Sequence, residues 1–158
     1  MGQISEQMQI RNYSFGATAA IVTSIGLIVG LDAATATKAT ILSGLLIVAV
    51  ADNLTDSLSI HIYQESERLE PRAAFRATLI NFFARLGLSL SFIFLMGFLP
   101  LRIAVVVSIL WGLLLLTGLS YVLARTQNRP ALPEIAKHVA VAVVVILSSK
   151  AIGHIIQA

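Results

Sequence analysis

The chain has 158 residues, of which 11 are Lys or Arg and 8 are Asp or Glu. Charged residues make up 12%, against about 25% in a soluble domain, and apolar residues make up 57%. With a mean hydropathy of +0.87, this composition excludes an ordinary soluble domain, a disordered chain and a disulfide scaffold. It indicates an integral membrane protein.

A spanning helix needs about 20 mostly apolar residues. Residues 12–31 supply the first span without a formal charge. This stretch is longer than a secretory h-region and has a barely basic flank, so it is expected to remain as a signal-anchor. It contains Gly26 and Gly30, a spacing that permits close helix contact. The turn Leu31 to Lys38 leads into the second span, 39–64, which carries Asp52 and Asp56. The third span, 79–101, starts before Arg85 and ends around Pro100. The fourth, 103–124, is uncharged and contains Trp111, expected to be packed at mid-span, and Tyr121 near an interface. Asn128 to Pro133 breaks the chain. Pro133 and Glu134 suit the first turn of the fifth span, 134–157. The expected fold is therefore all-α, one domain of five transmembrane helices. A homodimer is the default expectation for so small a chain.

Lys and Arg set the orientation. With five spans, eight of them fall on the side of the N-terminus and two, Lys38 and Arg102, on the other. This places the N-terminus in the cytoplasm and the C-terminus outside or in a lumen, across the inner membrane in a prokaryote. Lys150 and Arg85 are expected to snorkel toward the nearest interface. The net charge of +3 is topology signal; no basic cluster with interleaved aromatics suggests nucleic acid.

The second span carries most of the chemistry. Asp52 and Asp56 are i, i+4 and share a helix face, continued by Ser59 and Tyr63. An Asp at the bilayer centre costs roughly 2.5–3.5 kcal/mol on insertion scales. Such groups need water, a cation or a proton, which is why they suggest ion pathways. The plainer alternative is a wetted helix end, easier for Asp56 than for the deeper Asp52. His61 is a candidate ligand or proton relay, or simply a hydrogen-bonded interfacial side chain. Glu65, Glu67 and Glu70 could attract divalent cations at the cytoplasmic mouth, or pair with Arg68, Arg72 and Arg76. There is no phosphate loop, HExxH motif, nucleophile elbow or cysteine, so an enzyme is the least favoured class and no cofactor is implied.

The chain resembles the vacuolar iron transporter family of Fe²⁺/Mn²⁺ transporters across its five spans. The resemblance lies in Ser14-Phe15-Gly16 and Gly26 of the first span. In the second it lies in Ala51 and Leu54-Thr55-Asp56-Ser57-Leu58-Ser59-Ile60. Weaker matches are Gly97-Phe98-Leu99-Pro100-Leu101 and Ala151 to Ile156. It implies metal transport in exchange for protons; together with the polar stripe of the second span, this puts Asp52, Asp56, Ser59 and His61 along the expected path. Glu65 and Glu67 would stand at its cytoplasmic mouth. The chain departs from the family pattern at Phe15, where an Asp is expected, and at Ile60, where a Met is expected. The long cytoplasmic insert between the second and third spans is also absent. The competing expectations are a divergent non-transporting membrane subunit and a proton-coupled carrier of another solute.

Overall fold

A computed structural model describes residues 2–66 and 71–158. It contains five helices: α1 Gly2–Ala33, α2 Lys38–Ser66, α3 Pro71–Phe98, α4 Leu101–Thr126 and α5 Ala131–Gln157. Each includes a stretch of 18 to 27 residues apolar enough to cross a membrane. The described helices run past the apolar stretches at several ends. α3 starts at Pro71, eight residues before the expected boundary, and α1 extends back to Gly2. Polar helix formers continue a helix beyond the bilayer at little cost.

The connections are tight because each has a local solution to helix ending. Thr35 takes a left-handed conformation at φ 54° after α1, and the Ala36 amide donates back to the Leu31 carbonyl at 2.9 Å. The Thr37 hydroxyl then accepts from the Thr40 amide at 3.2 Å and caps α2. Lys38 reaches across to the end of α3, where its Nζ donates to the carbonyl of Gly97 at 2.8 Å and to that of Leu99, just past the helix, at 3.0 Å. A cation on the last carbonyls of a helix also meets the negative end of its dipole. Pro100 precedes α4. Asn128, at φ 53°, turns the chain toward Pro130 and α5, whose first turn holds Glu134.

α1 is the central helix and packs against all four others. The core is aliphatic and aromatic: Ile21, Ile25, Ile28, Ile41, Leu45, Phe92, Met96 and Leu116 are buried. Lipid is as apolar as these side chains, so close packing rather than water exclusion must hold the helices together. Small residues provide it. Gly26 lies against Val145 and Ser149 of α5, and Gly153 of α5 sits on the Gly30 carbonyl of α1. The Gly26/Gly30 pair therefore serves a contact within the chain. Gly112 of α4 leaves room for Ile25. A polar bridge joins α4 to α5 where the Ser120 hydroxyl meets His138 Nδ1 at 2.8 Å. Trp111 is not packed inside as expected: it is 36% exposed, and its indole N–H donates to Ser91 Oγ of α3 at 3.0 Å. Its polar edge needs a partner, which the helix flank supplies.

Candidate functional site

α2 and α3 run antiparallel, with Lys38 opposite Gly97 and Asn53 opposite Arg85. The inward stripe of α2 recurs every four residues: Ile41, Leu45, Ala49, Asn53 and Ser57 are all buried. The facing stripe of α3 is Met96, Phe92, Ser89, Arg85 and Asn81, also buried. Both change from apolar to polar at the same level.

Arg85 stands at that level. Its side chain is 1% exposed, and it forms ion pairs with Asp56 and, at 3.7 Å, with Asp52. Its Nε donates to Asn53 Oδ1 at 3.0 Å, while the Asn53 amide donates to the Ala49 carbonyl one turn back. The expectation that Arg85 snorkels outward is thus corrected. A guanidinium can be held inside a span when carboxylates and an amide satisfy its fork, and α2 presents these at i, i+1 and i+4. Asp52 lies 14 residues after Lys38, about 21 Å along the helix axis at 1.5 Å per residue. That depth lies within the hydrocarbon thickness of about 30 Å.

The two carboxylates are only partly covered, with side chains 47% exposed for Asp52 and 29% for Asp56. Around them α2 shows Val50, Leu54 and Leu58 to the outside. Ser59 does not join the cluster; its hydroxyl donates to the Thr55 carbonyl at 2.9 Å. His61 forms a separate pair, with Nε2 at 3.4 Å from Glu65 Oε1. Glu65 is exposed, and Glu67 and Glu70 lie outside the described residues. Among the described residues no group of three or more His, Asp or Glu is placed to hold a metal ion. At the far end of the bundle Lys150, His154 and Asp32 line a separate cleft of about 360 Å³.

Asn81 is a contributor that the sequence reading did not single out, and Gly16 and Ser57, which stand in the segments of resemblance, take buried roles beside it. Asn81 is 2% exposed. Gly16 of α1 has no side chain between its backbone and Asn81 and Arg85, both of which a Cβ would strike. The available signal was the i, i+4 spacing of Asn81, Arg85 and Ser89 in an otherwise apolar segment.

No family model matches the chain, and no curated protein or solved structure matches it significantly.

Proposed function

We propose that the chain is a multi-pass membrane carrier exchanging divalent metal ions, Fe²⁺ or Mn²⁺, for protons at Asp52 and Asp56. The observation behind this reading is the charge balance inside the span. Two carboxylates one helical turn apart share one guanidinium, which leaves one formal negative charge at membrane depth. Lipid disfavours that charge strongly, so it draws either a proton, which neutralises it, or a divalent cation, which leaves one positive charge to be shared with water. Both compete for the same oxygens, and cation binding then releases the proton.

Asp52 and Asp56 fall short of a complete shell for such a cation, for which octahedral oxygen coordination is usual. Water or a second copy lying on the exposed side of α2 supplies the rest. A homodimer also covers Asp52, whose partial exposure at this depth is otherwise unfavourable. The excess of Lys and Arg beside the N-terminus supports a cytoplasmic α2–α3 end.

Arg85 favours a second reading, because it already occupies the space between the carboxylates. In it, the same acids carry protons while the carrier moves another solute. Proteoliposomes loaded with a metal-quenched dye separate the two. Fe²⁺ or Mn²⁺ quenching that depends on a proton gradient, and is lost in Asp52→Asn/Asp56→Asn, supports metal exchange. A folded wild-type protein that never admits metal under either gradient rejects it.

A further inference from the structure

We infer that a water-filled path, open only at the α2–α3 end of the bundle, runs between α1, α2 and α3 and stops at Asp56 and Arg85. Side-chain atoms without protein partners mark its course. Ser57 Oγ, His61 Nδ1 and both polar atoms of Asn81 are buried and make no hydrogen bond within the protein. Ser57 and His61 are i, i+4 on α2. Asn81 stands one turn before Arg85 on α3, and Gly16 of α1 brings bare backbone against it.

Polar groups left unsatisfied inside a span are strongly unfavourable, because lipid offers them no partner. Buried waters typically make about three hydrogen bonds to groups of this kind, and the four atoms here can hold a short file of them. The file leads past His61 toward Glu65, which is exposed. On α3 the charged residues at this end are Arg72 and Arg76, both exposed.

In the opposite direction the same two stripes become Leu45, Ile41, Phe92 and Met96, closed over by Ile25 and Ile28. In that half these two inward stripes offer water no polar side chain, and the buried, unpartnered Ser108 Oγ there belongs to α4. The path thus gives Asp56 one-sided access. It goes beyond the proposed exchange of metal for protons, because it fixes which side the carboxylates communicate with in this conformation, whatever the cargo.

The chain has no cysteine, so single-cysteine variants report cleanly. Ser57→Cys and Leu45→Cys, in the full chain in proteoliposomes, are treated with a small cationic, membrane-impermeant methanethiosulfonate. Arg76→Cys and Ala39→Cys, both at exposed positions, mark the two sides. A thiol reacts as its thiolate, and an apolar setting suppresses that form. Ser57→Cys is expected to react at least about tenfold faster than Leu45→Cys, and only from the side that labels Arg76→Cys. His61→Cys reads the same path nearer its mouth if Ser57→Cys does not fold. Equal reactivity of the two halves, labelling from the Ala39→Cys side, or an inert Ser57→Cys in folded protein overturns the path. Labelling needs no transport, so a missing metal flux beside a reactive Ser57→Cys would reject the exchange reading alone.

Discussion

Arg85 of α3 and Asp56 of α2 form an ion pair in which the guanidinium is almost fully buried and the carboxylate is about one-third exposed. The asymmetry has a consequence for stability. Removing the buried partner of such a pair leaves carboxylates stranded, whereas removing both signs leaves only a polar core. Breaking one side of a buried pair costs about 3–5 kcal/mol. Arg85→Gln is therefore expected to lower the unfolding temperature in detergent sharply. Adding Asp52→Asn and Asp56→Asn to it should restore much of the loss, because coupled sites are not additive. A triple variant no more stable than Arg85→Gln would show that the pair does not hold α2 to α3.

The glycines make a second prediction from space alone. At Gly153 a Cβ would meet the Gly30 carbonyl and the Ala34 amide, and backbone cannot step aside. Gly153→Ala is expected to cost about 1–3 kcal/mol by overpacking. At Gly87 and Gly118 nothing lies within 4 Å. There Ala should be neutral or stabilise by about 0.5–1 kcal/mol, the helix preference of Ala over Gly. Thermal unfolding of the three variants side by side checks the order, and a Gly153→Ala as stable as Gly87→Ala contradicts the packing.

The five spans were legible because apolar length reports membrane thickness directly. Helix ends were less so. Residues 71–78 continue α3 with a mixed polar and apolar sequence that hydropathy cannot separate from a loop. Arg85 was misread because its place in the sequence, close to a charged connection, suggested an interface. Its partners stand 29 to 33 positions earlier on α2, and only the antiparallel register brings them together. Asp52 and Asp56 were found because two acids in an apolar helix stand out. Ser57 is legible only as part of the polar stripe around the two acids, and Asn81 not at all, because a single amide or hydroxyl is common in such helices and gains meaning only from burial without a partner.

Lys38 offers a third prediction. Its ammonium holds the carbonyls of Gly97 and Leu99 at the end of α3 through two hydrogen bonds, and bonds involving a charged donor contribute about 1.5–3 kcal/mol. Lys38→Met keeps the stem and removes the head. Hydrogen exchange should rise around residues 97–101 and stay unchanged in α5. Unchanged exchange at Leu99 would mean that water replaces the ammonium without loss.

The exchange of protons for cations is the central claim. Proteoliposomes containing a pH-sensitive dye report it when Mn²⁺ is added outside without a preset gradient. The lumen is expected to become more alkaline as metal enters and protons leave. No such change is expected in Asp52→Asn/Asp56→Asn, while Ser59→Ala, which removes a hydroxyl bonded only within its own helix, should behave as wild type. Metal entry with no movement of protons, or full exchange in the double Asn variant, would contradict it.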